Sequence, residues 1–263
     1  MIRVTRVVLV ALLAALLGAA SGAFGEKTWH GMRPVQVLTP LPAGLTLPVY
    51  LLHGLKAGST KVGAEIAGAT TEPVPLSRTR YLPQGARVMG VVVTSKGEDR
   101  RAGVPAMLVI RFEKLSYRGK TVTIRTRVLA VANAADVSET FASSNDGSDR
   151  GNASPANWTT RQIGGDEVYR EGWEGPVENG RMQKVGFADF HGVYANAPAG
   201  ATGTRALPRA VGVFSVDAKG LYGFDKEAML NSAGGEARFT SPESIVLRDG
   251  DALLIEVIGA GKK

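Results

Sequence analysis

An all-β fold, a barrel or sandwich of short, mainly antiparallel strands, is what this sequence predicts, on three observations. Short runs rich in Val, Ile, Leu and Thr recur along the chain, each bounded by Gly, Pro or charged turns. The 33 glycines and 13 prolines supply turn residues in quantity. No long amphipathic helix interrupts the runs, which argues against an α/β enzyme fold. With 263 residues the chain is long enough to bury a core, as one large domain or two small ones.

The first two dozen residues precede the fold. Arg3 and Arg6 give a positive start, and residues 7–17 (VVLVALLAALL) form an unbroken apolar run. Residues 18–23 (GAASGA) then supply small side chains, ending in the A-x-A-like site Ser21-Gly22-Ala23. The 11 apolar residues are fewer than the ~20 that span a bilayer. Residues 1–23 therefore read as a signal peptide, with an uncleaved membrane anchor as the alternative. The chain is expected to be exported and, after cleavage, periplasmic or extracellular.

There is no cysteine, which removes lipid attachment, disulfides, thiol nucleophiles and thiolate metal sites. Without Arg3 and Arg6 the chain holds 29 Lys and Arg against 24 Asp and Glu, a net charge of +5. This mildly basic balance suits an envelope protein or an anionic envelope polymer as partner, with peripheral contact to a membrane. Nucleic acid is argued against, because no dense basic run with interleaved aromatics appears.

In chain order, residues 35–38 read as a short extended segment, turned by residues 40–44. Strands are expected over residues 45–55, 62–67, 87–94, 106–112 and 121–130. Arg118-Gly119-Lys120 is a tight polar link of the hairpin type. Residues 121–128 (TVTIRTRV) alternate polar and apolar, the period of a sheet with one wet face. Leu41-Pro42-Ala43-Gly44, Leu82-Pro83-Gln84-Gly85 and Leu247-Arg248-Asp249-Gly250 each precede an apolar run. In the first two, Pro presets the second turn position and Gly suits the fourth, so they read as equivalent corners.

Residues 134–208 have a different character. The polar, unpatterned stretch 138–157 reads as a loop, and residues 158–203 are Gly-rich with scattered aromatics. Residues 134–208 are thus expected to be a loop-rich insertion or subdomain with two hairpins. Strands return at 211–218, 237–240, 244–247 and 252–258, with a short helix at 226–232 (KEAMLNS). Residues 24–133 and 209–263 then make the barrel or sandwich, and 252–258 returns to its first sheet and closes it.

Tyr81-Leu82-Pro83-Gln84-Gly85-Ala86-Arg87-Val88-Met89-Gly90, preceded by Leu41-Pro42-Ala43-Gly44, resembles the TrbI-like β-barrel of the conjugation-type (type IV) secretion scaffold. In that family an apolar-Pro-x-Gly corner opens one strand and an apolar-Pro-Gln-Gly corner a later one. The likeness covers residues 41–131 and 211–258. The chain departs from it in carrying a cleavable leader in place of a membrane helix, in lacking a long Pro-rich linker, and in residues 134–208. The resemblance implies a barrel. The chain also resembles an exported β-domain family of acidobacterial type, with no assigned activity to transfer. That second likeness extends to Gln162-Ile163-Gly164-Gly165-Asp166-Glu167 and to residues 214–223 (FSVDAKGLYG).

Chemistry-bearing groups are sparse. Trp158, Tyr169 and Trp173 are the candidate ligand-binding residues, set among Asp166, Glu167, Glu171, Glu174 and Glu178. Acids beside aromatics suit a sugar site, and glycoside hydrolysis needs two facing carboxylates. The alternative is a solvent-facing turn region whose tryptophans anchor it to the barrel. His30, His53 and His191 are isolated, without the spacing of a metal site. Asn145-Asp146-Gly147-Ser148-Asp149 puts Gly147 where a calcium loop needs a ligand. There is no nucleophile elbow and no phosphate loop, so no catalytic residue, cofactor or metal is predicted. The expected role is a non-catalytic structural or interaction domain of the cell envelope. A secreted glycan- or peptidoglycan-binding module is the alternative.

Overall fold

The computed structural model describes residues 32–36, 41–141, 157–171 and 173–260. The leader, His30, Asn145 to Asp149 and most of the polar stretch 138–157 lie outside the described residues. The chain enters through β1 (Arg33–Pro34), followed by β2 (Thr46–Leu51), β3 (Leu55–Lys56), β4 (Glu65–Thr70), β5 (Val74–Pro75) and β6 (Arg80–Leu82). Three long strands come next: β7 (Arg87–Lys96), β8 (Ala106–Tyr117) and β9 (Lys120–Ala132), then helix α1 (Ala134–Glu139). A second group holds β10 (Asn157–Arg161), β11 (Glu167–Glu171), β12 (Gly175–Glu178), β13 (Lys184–Ala188), β14 (Val193–Ala195) and β15 (Arg209–Ala210). The chain finishes with β16 (Gly220–Tyr222), β17 (Ala228–Asn231), β18 (Ala237–Ser241), β19 (Val246–Leu247) and β20 (Ala252–Ala260).

Six strands close an antiparallel barrel in the order β2, β20, β9, β8, β7, β4 and back to β2. The fold is all-β and β20 does return to the first sheet, as the sequence predicts. Alternation along each strand sends Leu47, Val49 and Leu51 of β2 inward, with Leu253, Ile255 and Val257 of β20. All six are at most 1% exposed. Each contributes roughly 1.5–3 kcal/mol by leaving water, and together they fill the interior as a packed core.

The three sequence corners share one hydrogen-bond pattern. Gly44 N–H donates to Val257 O (2.8 Å), and Val257 N–H donates to Leu45 O (2.8 Å). Gly85 and Ala86 repeat this with Thr70 (2.8 and 2.9 Å), and Gly250 and Asp251 with Leu51 (3.0 and 2.9 Å). The glycines have φ of 90°, 81° and 84°. This is the G1 bulge, a left-handed glycine and its successor set against one residue of the facing strand. It opens β2, β7 and β20. The β8–β9 link is the expected hairpin, with positive φ at Arg118 (49°) and Gly119 (71°) as a type I′ turn requires.

The barrel has a seam. β8 and β9 pair only between Lys114–Tyr117 and Lys120–Thr123. Beyond that they part, β8 bonding to β18 and β9 to the parallel β16. Asn231 of β17 bridges the gap: Val128 N–H donates to its Oδ1 (3.3 Å), and its Nδ2 donates to Val128 O (2.8 Å). The side-chain amide thus replaces a missing strand peptide. Asn231→Ala leaves both groups of Val128 unpaired and is expected to cost about 1–3 kcal/mol, read from the urea midpoint.

Two expected elements differ. Residues 226–232 contain β17 rather than a helix, because Met229 and Leu230 pair with Phe239 and Arg238 of β18; helix propensity is a weak prior against such pairing. The helix is α1 instead, its N-cap Asn133 accepting Asp136 N–H at 2.8 Å. Residues 211–218 are not a regular strand. Gly212 turns the chain at φ 59°, and the N–H groups of Gly212 and Val216 go to carboxylates rather than to a ladder.

Where two hairpins were expected after residue 157, β10 to β15 form one six-stranded meander in sequence order. It curls around Val168, Val177, Ala188, Val193, Ala195 and Val211. Its ends meet where Ile163 N–H donates to Val213 O (2.9 Å) and Ser215 N–H to Ile163 O (2.8 Å). The outer barrel residues Ala132, Ala252 and Leu254 pack on Ile163, Phe214 and Ala218.

Candidate functional site

A buried acid ties the barrel to the meander. Glu72 follows β4 and is 3% exposed. Its Oε2 accepts Val193 N–H (2.9 Å) and its Oε1 accepts Gly212 N–H (3.0 Å). Burial pushes its pKa up to about 8, with nearby Asp189 adding to the rise and the backbone N–H groups opposing it. A Cβ on Gly192 would stand 2.7 Å from the Glu72 carboxyl carbon, so a bare backbone at 192 is what admits the acid. Tyr194 stacks on Phe187 (5.3 Å between centroids) and donates its hydroxyl to Pro73 O (3.2 Å). Thr46 donates to Ala210 O. Half-buried Arg170 has its pKa lowered by burial, against the pull of Asp189 and Glu72. Both oxygens of Glu72 are engaged by backbone, so this cluster holds the joint.

The same joint roots an exposed aromatic end. The β12–β13 register ends at Gly175↔Ala188. Two residues farther along each strand stand Trp173 and Phe190, 64% and 71% exposed. Asp189, buried, accepts the N–H groups of His191 (2.8 Å) and Gly192 (3.1 Å) through Oδ1. That Asx turn fixes the loop and leaves Phe190 outward. The His191 ring packs edge-on to Phe190 at 4.7 Å. Glu72 then holds Val193, the next residue, so the loop has a rigid base.

Of the three predicted aromatics, Trp173 lies in this exposed end. Tyr169 is half-buried and donates its hydroxyl to Glu167 Oε2 (2.5 Å). Trp158 pairs in register with Arg170, not Tyr169, and its side chain lies outside the described residues. Glu167 and Glu178 face each other across β11–β12, flanked by Arg161 and Lys184 in a row across four strands. Arg161 lies 3.8 Å from Glu167. Those acids sit in a cross-strand charge row.

Asp166 is buried, its Oδ2 accepting Val216 N–H (2.8 Å), and burial raises its pKa against that bond. Glu174 is exposed beside Trp173, and the side chain of Glu171 lies outside the described residues. His53 and His191 are both exposed, on separate turns. Among the described residues no group of three His, Cys, Asp or Glu could hold a metal ion.

The segments 162–167 and 214–223, distant in sequence, are brought together. Asp166 N–H donates to Ser215 Oγ (2.8 Å), and Gln162 Nε2 donates to Gly212 O (2.9 Å). A Cβ on Gly164 would come within 2.9 Å of Ser215 Cβ, so glycine permits the contact. Glu72, Asp189 and Phe190 were not singled out by the sequence. Asp189-Phe190-His191-Gly192 has the Asp-x-x-Gly form of a turn, and that signal could have placed Phe190 on a loop tip. Nothing in Thr71-Glu72-Pro73 marks Glu72 as buried. No family model, curated protein or solved structure matches the chain.

Proposed function

We propose that this chain is an exported, non-catalytic interaction domain of the cell envelope, docking an envelope protein through its Trp173–Phe190 end. The observation that carries the reading is the exposure of two large aromatics at one sheet end, on a loop held by Asp189 and Glu72. Aromatics bury large areas when they can. Two held outward on a rigid base form the kind of anchor that dominates protein interfaces. The signal-peptide pattern of residues 1–23 supports the location, and the filled barrel supports a surface role over a lumenal one.

A second reading, glycan or peptidoglycan binding, draws on Trp173 beside exposed Glu174, since an indole face stacks on sugars and a carboxylate accepts from hydroxyls. Capture from solubilised envelopes, compared with a glycan-binding screen, separates the two. The Trp173→Ala/Phe190→Ala protein is expected to lose about tenfold or more in capture of the same partner, with its far-ultraviolet circular dichroism unchanged. Undiminished capture would remove the aromatic end from the interface. Loss confined to the glycan screen would favour the second reading.

A further inference from the structure

Positive charge gathers at the barrel end formed by the β8–β9 hairpin. Residues 73–87 and 114–123 contain 6 Lys or Arg and no Asp or Glu. Arg87 faces Ser116 across β7–β8, Lys114 faces Thr123 across β8–β9, and Lys120 sits at the hairpin opposite Tyr117. The small β1–β6–β5 sheet is joined to this end, where Arg118 Nη1 donates to Gln36 Oε1 at 2.8 Å. Within that sheet Arg33 stands beside Arg80 in parallel register.

These six residues (Arg33, Arg80, Arg87, Lys114, Arg118 and Lys120) are all exposed. Among the described residues none of them forms an ion pair. Elsewhere bases do find acids: Arg111 with Glu113 and Glu236, Arg127 with Glu256, Lys226 with Glu243. Like charges placed side by side on adjacent strands repel, so Arg33 beside Arg80 gains most from an external counter-charge. Four of the six are arginines, whose planar fork matches phosphate oxygens two at a time.

We infer that this end binds the phosphate headgroups of an anionic bilayer. The inference rests on the envelope location proposed above and adds a surface to it. A bilayer is favoured over a soluble polymer by the spread of the charge, from Arg33 and Arg80 of the small sheet to Arg118 and Lys120 of the β8–β9 hairpin. The basic groups also come from strand ends and a hairpin tip of several elements, which suits many-point contact with a plane of headgroups. Each basic side chain near such a surface strengthens binding about fivefold, and salt screens the effect.

The test is vesicle cosedimentation of the protein recovered after export. Vesicles of phosphatidylcholine with phosphatidylglycerol are expected to bind it, and phosphatidylcholine alone to bind it far less. The Arg33→Gln/Arg80→Gln/Arg118→Gln protein is expected to lose about a hundredfold, with an unchanged thermal midpoint. Arg100→Gln/Arg101→Gln, in the β7–β8 connection, should retain wild-type binding. Equal binding to both vesicle types, or an undiminished triple variant, overturns the inference. Equal loss in the Arg100/Arg101 protein also overturns it, because net charge alone would then be acting. Binding to soluble polyphosphate but not to vesicles assigns the end to a polymer and overturns the bilayer. The Trp173→Ala/Phe190→Ala protein should keep its vesicle binding, so failure here and failure of the aromatic docking surface are read separately.

Discussion

Replacing Glu72 by alanine is expected to cost about 3–5 kcal/mol of stability, measured by urea unfolding at neutral pH. The substitution strips the acceptor from two N–H groups, those of Val193 and Gly212, in the buried joint between barrel and meander. Each orphaned donor costs about 1–3 kcal/mol. Amide exchange should quicken first at Val193 and Gly212 and later, if at all, in the barrel strands. Glu72→Gln keeps one acceptor and should fall between wild type and alanine.

A pH dependence follows, with a definite sign. The Glu72 pKa is raised from 4.5 to about 8 by burial, so between those values the folded chain keeps a proton that the unfolded chain has released. Stability is therefore greatest below about pH 4.5 as far as this group is concerned. It falls as pH rises through the window and levels off above pH 8, by an amount on the order of a few kcal/mol. Asp166 and Asp251 are also raised by burial and add smaller contributions of the same sign. The Glu72→Gln protein should lose most of the slope between pH 5 and 8; an unchanged slope would mean that another group titrates there.

Gly175→Ala is expected to be at least as damaging, for a steric reason. A Cβ at residue 175 would fall inside the carbonyl oxygen of Tyr169 and 2.7 Å from its carbonyl carbon. Both are backbone atoms, so no rotamer change relieves the clash, and β11 and β12 must separate. The expected loss exceeds about 3 kcal/mol, with the setting of Trp173 lost as well. Gly180→Ala, with nothing within 4 Å of the new methyl, should stay within about 0.5 kcal/mol of wild type. Equal effects of the two substitutions in urea would remove close strand approach as the cause.

The barrel was legible where local chemistry and global pairing agree. The period-two run at 121–128 carries its buried face, Ile124, Thr126 and Val128, in its own spelling. The Leu-Pro-x-Gly corners announce their bulges, because only glycine takes the required φ cheaply. The meander was much less visible. Its strands are three to five residues long, apart from the two-residue β15, and interrupted by Gly175 and Gly186, whose function is to let neighbouring backbones approach. Residues 226–232 misled because Lys, Glu, Ala, Met and Leu favour helix locally, while β18 offered a ladder that a single-sequence window cannot see.

The candidate site divides in the same way. Trp173 was visible as a residue type, but its neighbour Phe190 is brought beside it only by the β12–β13 register. Glu72 was invisible, because burial of a lone acid depends on where two remote N–H groups arrive.

Asn231 gives the barrel a chemical lifetime as well as a closed wall. Hydrolysis of its side-chain amide, water replacing the nitrogen that leaves as ammonia, would turn the donor facing Val128 O into a second oxygen and set two acceptors against each other where a 2.8 Å hydrogen bond now stands. The damage would need no denaturant and no protease, only elapsed time. An aged sample would then open along one line of the wall while every other strand pair stayed intact.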